Sequence, residues 1–171
     1  LNPSSAASDV YKRQILDRPI LENTQSMTLE TKVDSLGAAA QFTIFAIRVW
    51  SSAKQQRLPI EHALGGVFAE FRCMEVLDVF DECMSLLAVA ALRKVNIGCC
   101  PSNKYVVRDE AIMLDCFREL EKGNAEAASA TMDTVILRAL RPTFCRSAKI
   151  YIDQLNQEGL DFKAPRNLAL V

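Results

Sequence analysis

The 171 residues carry 20 basic and 21 acidic side chains, a formal net charge of −1, so no overall attraction draws the chain to nucleic acid or to an anionic membrane. Half of the residues are hydrophobic, enough for a sizeable core, while 7% aromatics and 6 glycines leave the balance with helix formers. The longest weakly polar run, 36–50, contains Gln41, Thr43 and Arg48 and falls short of the ~20 apolar residues of a bilayer span, so a cytoplasmic protein with no membrane partner is expected.

The chain opens "LNPSSAASDVYKRQ", which resembles the translated sequencing-adapter read-through found at the start of metagenome-derived reading frames. Its small polar residues have no helical or strand period, and Pro19 interrupts the stretch that follows. Residues 1–26 are therefore expected to be a disordered, non-native leader, with the native protein starting at Met27. The helical domain is expected over 27–160, and 161–171 as a C-terminal tail.

The first predicted helix runs over 31–56, with Leu36, Ala40, Phe42, Phe45, Ile47 and Val49 apolar, Arg48 and Lys54 on its wetter side, and Trp50 as a core anchor. Pro59 stops it and opens a second helix over 60–71, in which Gly65 and Gly66 either allow close packing or mark fraying. The clearest helix is 74–94. Leu77, Phe80, Met84, Leu87, Ala88 and Ala91 form its apolar stripe, Glu75, Asp78, Asp81 and Glu82 lie off it, and Arg93 and Lys94 suit the dipole of its last turn.

After a break at "VNIGCCPSNKY", a helix is predicted over 108–122 with Asp109 and Glu110 in its first turn and Gly123 as its stop. Asn124 can cap another over 125–140, and Pro142 separates a last one that Gly159 ends. The expected fold is all-α, a compact bundle of roughly five or six helices joined by short loops.

Chemistry is harder to find. The six cysteines, Cys73, Cys83, Cys99, Cys100, Cys116 and Cys145, read as free thiols in a chain with no secretion signal. A zinc centre wants four ligands in spaced pairs; the one close pair is Cys99-Cys100, and His62 is the sole histidine, so no metal and no cofactor is expected. Gly98 and Pro101 can build a turn in which one of the two cysteines tucks into the core. The competing reading is a thiol-based redox sensor or small enzyme centred on Cys99 and Cys100, with Lys104 and Arg108 lowering a thiol pKa. Phosphate loops, nucleophile elbows and dinucleotide fingerprints are absent.

Arg138, Arg141, Arg146 and Lys149 bracket Pro142 and are the candidate binding residues, suited to an acidic protein partner. The near-zero net charge disfavours nucleic acid. Self-association into a homo-oligomer stays open.

In the order of "IRVWSSAKQQR", "ALGGVFAEF", "GCCPSNKYVVRDEAIMLDCFRELEKGN" and the alanine-rich C-terminal pair of helices, the chain resembles a small family of uncharacterised, all-helical alphaproteobacterial proteins. The resemblance implies a bacterial cytoplasmic helical domain and no particular activity. Val107 stands where a capping Ser or Thr would be expected, which leaves the start of that helix less well satisfied. Together these features favour a non-enzymatic protein-interaction or regulatory module.

Overall fold

The computed structural model describes residues 31–162, so the leader 1–26 and all of the tail beyond Phe162 lie outside the described residues. Six α-helices form among them: α1 (Ala38–Gln56), α2 (Ile60–Glu70), α3 (Val76–Ala90), α4 (Arg108–Glu121), α5 (Ala125–Thr131) and α6 (Arg141–Gln157). Single 3-10 turns at Val33–Ser35 and Arg138–Leu140 precede α1 and α6. The fold is an all-α bundle. No described helix is long and apolar enough to cross a membrane.

Helices α3 and α6 lie against each other at the centre, α4 covers α6, and α1 and α2 close the other side. Between them Phe42, Phe68, Phe80, Tyr151, Phe117 and Phe162 run as a chain of ring contacts, each pair 4.9 to 6.0 Å apart between centroids. Offset and edge contacts of this kind add about 0.5–1.5 kcal/mol each beyond the area they bury. The Tyr151 hydroxyl, fully enclosed, meets Thr43 Oγ1 at 2.9 Å, and burial pushes its pKa up. Trp50 is a core anchor as expected, with its indole N–H donating to Asp81 Oδ1 at 2.6 Å.

Several boundaries differ from the sequence expectation. The first helix starts at Ala38 rather than near 31, because Lys32 and Gly37 are extended on either side of the Val33–Ser35 turn. Gly65 and Gly66 permit no close helix contact; a Cβ at Gly66 would meet nothing within 4 Å. Helix α3 ends at Ala90 and α5 at Thr131, well short of 94 and 140. Past Ala90 the chain becomes extended, past Thr131 it turns, and the two segments then pair. Ala91 bridges Ile136, Leu92 N–H donates to Val135 O at 2.8 Å, and Leu137 N–H to Ala90 O at 2.9 Å. On the α5 side a turn over 132–135, closed by the Val135 and Ile136 N–H groups onto Met132 O at 3.1 and 2.9 Å, leads into the pairing at Ile136. Ala88 is accordingly exposed, and the buried stripe of α3 is completed by Val76, Cys83 and Ala90.

The ends of α4 and α5 are also satisfied differently. Val107 N–H is accepted by Glu110 Oε2 at 3.0 Å, so the helix start lacking a Ser or Thr is rescued by the carboxylate three residues on. Asn124 does not cap α5; its amide donates to Glu119 Oε2 at 3.0 Å.

The largest correction concerns Arg48, which lies on the buried face of α1 with 2% of its surface exposed. Its Nε and Nη2 donate to the two oxygens of Glu110, each at 2.8 Å. The rest of the guanidinium reaches Asn103 O at 2.6 Å and Tyr105 O at 2.8 Å. Glu110 Oε1 also accepts Gly98 N–H at 3.0 Å. One buried fork-on-fork pair thus holds both limbs of the 91–107 loop.

A second latch lies beside it. Arg93, displaced from the helix end it was expected to close, donates to both Asp109 oxygens at 2.7 Å, and Asn96 N–H reaches the same carboxylate at 2.6 Å. The Arg93 hydrogen bonds, joined by that of Asn96 and opposed by burial, hold the Asp109 pKa below the usual carboxylate range. A carboxylate lowered on folding stabilises fully above its unfolded pKa of about 3.9 and loses that contribution as the pH falls through its folded value. Replacing Asp109 by Asn should therefore lower Tm at neutral pH and shrink the further drop below about pH 4. Circular-dichroism melts of both proteins from neutral pH downward check this; parallel curves would remove Asp109 from the acid response.

Candidate functional site

Helix α5 is short and built of small residues, and that is why a space opens beside it. Ala125, Ser129 and Ala130 cannot fill the gap between the end of α4 and the start of α6, so a groove of about 970 Å³ remains. Leu120, Pro142, Cys145 and Ile150 supply its apolar surface. On α6, Pro142, Cys145, Arg146, Lys149 and Ile150 follow one another at i, i+3, i+4, i+7 and i+8, which sets them on one face. The opposite face of the same helix, with Phe144, Ala148, Tyr151, Ile152 and Leu155, is buried in the core.

All four basic residues singled out in the sequence line this groove. Arg141 is fixed to the fold, donating from Nε to Ile136 O at 3.1 Å and from Nη2 to Asp133 O at 3.2 Å. Lys149 pairs with Asp153 one turn on. Arg138 and Arg146 are exposed and have no carboxylate partner among the described residues. The first turn of α6 holds no acidic residue. Cations here oppose the positive end of the helix dipole, an arrangement that lowers stability unless an anion answers it. Glu126 and Asp133, on the α5 side, are the acidic lining.

Cys145 forms part of the groove wall with 6% of its surface exposed. Interaction with the neighbouring Cys116 thiol lowers the Cys145 pKa and raises that of Cys116. Cys83 lies near enough to Cys145 to feel its charge and is itself pushed up by burial. These thiols are core neighbours. Among the described residues, no group of three or more His, Cys, Asp or Glu side chains converges in a way that could hold a metal ion.

The cysteine loop is placed differently from expectation. Neither cysteine is buried: Cys99 is exposed and Cys100 half-buried, while the other four are enclosed. Asn103 N–H closes a turn onto Cys100 O at 3.1 Å with Pro101 at its corner, as the composition suggested. Gly98 is needed for a reason other than backbone freedom, since a Cβ there would stand 2.7 Å from Arg48 Nε. The Cys100 pKa is lowered by hydrogen bonds from Ser102 and Cys99, not by Lys104 or Arg108. His62, Glu75, Asp78 and Glu82 are exposed, a solvated surface as anticipated.

Two features escaped sequence reasoning. The α5 wall of the groove gave no signal beyond its small residues. The Arg48–Glu110 pair did leave one, because Ala40, Thr43, Ile44, Ile47 and Arg48 lie at i, i+3, i+4, i+7 and i+8 on one helical face. Comparison of the chain with protein-family models, with curated proteins and with solved structures gave no match.

Proposed function

We propose that this chain is a non-enzymatic helical docking module whose groove between α4, α5 and α6 takes an acidic amphipathic helix from a protein partner. The observation that carries the reading is the meeting of Arg138, Arg141, Arg146 and Lys149 around one apolar groove of about 970 Å³. An apolar trough with a cationic rim complements a helix that presents apolar anchors at i, i+3, i+4 and i+7 flanked by carboxylates. Arg138 and Arg146 are free to pair with those carboxylates, and the uncompensated cations at the α6 N-terminus favour the same sign of charge. Catalysis has no comparable support, since the groove holds no paired acid and base and no nucleophile beside a base. The six free thiols and the modest surface charge suit a cytoplasmic, reducing setting.

The test is selection of helical peptides of about four turns from a random display library on immobilised protein. Winners should share apolar anchors at helical spacing and an excess of Asp and Glu. Their binding should weaken with salt and fall by at least about tenfold against the Arg138→Glu/Arg146→Glu double variant. Winners without acidic enrichment, or equal binding to the variant, would overturn the reading. Concentration-dependent self-association abolished by the same double variant would overturn it too, by giving the groove to a second copy of the chain.

A further inference from the structure

The two cysteines of the 91–107 loop are presented rather than hidden, and the loop that carries them is held from behind. Cys99 Sγ and Cys100 Sγ lie 3.7 Å apart, with Ser102 Oγ 3.3 Å from the second sulfur. Behind them the guanidinium of Arg48 ties Asn103 O and Tyr105 O, and Glu110 ties Gly98 N–H and Val107 N–H. Both anchors are buried and joined to each other, so the backbone on either side of the pair is fixed to α1 and α4. The four remaining cysteines are enclosed.

From this geometry we infer that Cys99 and Cys100 form a chelating site for a trivalent metalloid of the arsenic type, which bridges the two sulfurs and keeps a non-protein group as its third ligand. A disulfide would need the sulfurs to close to about 2.05 Å within a small strained ring, against a backbone that is held in place. A single soft atom bridging them needs no such closure. Placed about 2.3 Å from each sulfur, as in a metal–thiolate bond, it would see the 3.7 Å pair at an angle of about 107°, within the range of pyramidal and tetrahedral centres. Zinc is a poorer fit, because it wants four ligands and no third His, Cys, Asp or Glu joins the pair among the described residues. A three-coordinate centre that takes two protein thiolates and brings its own third group does not have that need. The hydrogen bonds that favour the Cys100 thiolate assist the first bond.

The reaction is a ligand exchange. Each thiol gives its proton to one hydroxide of an R–As(OH)2 species, two As–S bonds replace two As–O bonds, and two waters leave. Arsenic stays trivalent and nothing is oxidised. The site is independent of the basic groove and of the docking function proposed for it.

Phenylarsine oxide, hydrated in water to such a dihydroxide, is the probe. Intact-protein mass spectrometry on the full folded chain should find one arsenical per molecule, retained under excess monothiol and removed by a dithiol. Cys99→Ser and Cys100→Ser should each abolish the retained adduct, while Cys83→Ser and Cys145→Ser should leave it unchanged. Because adjacent cysteines in any flexible peptide can chelate, the affinity of the folded chain is compared with that of a synthetic "VNIGCCPSNKY" peptide. Holding the two sulfurs in register should make the folded chain bind at least about tenfold more tightly. Equal affinity of peptide and protein would overturn the inference, as would an adduct that survives either serine substitution or that maps to the enclosed cysteines.

Discussion

Replacing Arg48 by Ala is expected to destabilise the fold by about 3–5 kcal/mol, although an arginine is being removed. Glu110 would remain with no exposed surface and no counter-charge, and Asn103 O and Tyr105 O would lose their donor. Glu110→Gln should be nearly as harmful, because its amide nitrogen would face Gly98 N–H or Val107 N–H, donor against donor. The pair need not add net stability over an apolar alternative, since desolvating two charges offsets much of their attraction. The double variant Arg48→Met/Glu110→Leu should accordingly lose less than the sum of the two single losses. It will not recover fully, because the loop backbone groups stay unpaired. Urea unfolding of the four proteins measures all three terms. Single losses under about 1 kcal/mol would mean that the loop is ordered by something other than this clamp.

How legible this molecule is from its residues depends on what each residue type reports. The buried face of α3 at Leu77, Phe80, Met84 and Leu87 follows from periodicity, because a helix that buries one face must repeat near 3.6, while Ala88 of the same expected stripe is exposed. Trp50, the Pro59 start of α2 and the glycines at 123 and 159 follow from local rules, and both glycines have the positive φ that a helix end asks of them. The errors have physical causes of a different kind. Arg48 reads as wet from the sequence because charge is a good guide to exposure only where no buried counter-charge answers it, and Glu110, which does so here, lies 62 residues away. The shortening of α3 and α5 comes from one long-range pairing, Ala91 with Ile136, that neither segment announces by itself.

For the site, the cationic residues were legible by type and spacing, but the cavity between them was not. It exists because α5 is too slight to fill its place, which is a property of three helices together. Cys99 and Cys100 were legible as a pair. Their exposure was not, because it depends on the buried clamp that holds their loop outward.

Leu87→Ala against Glu82→Ala separates the two faces of α3 and is the second large effect expected here. Leu87 is 2% exposed and belongs to the apolar face that also carries Leu77, Phe80, Cys83, Met84 and Ala90. Truncating it removes three carbons from water-free surroundings and leaves a cavity that rigid neighbours cannot fully close, for about 2–5 kcal/mol. Because α3 lies against α6, the helix that carries the groove, the loss should be global and cooperative rather than local. Glu82 is exposed, and its loss should stay within about 0.5 kcal/mol. Denaturant melts of the two variants decide the matter: equal shifts would mean the helix is rotated from the orientation described. The same rotation would turn Phe80 away from Phe68 and Tyr151, rings now 5.7 and 5.4 Å from it, so the melting result also tests the aromatic chain through the core.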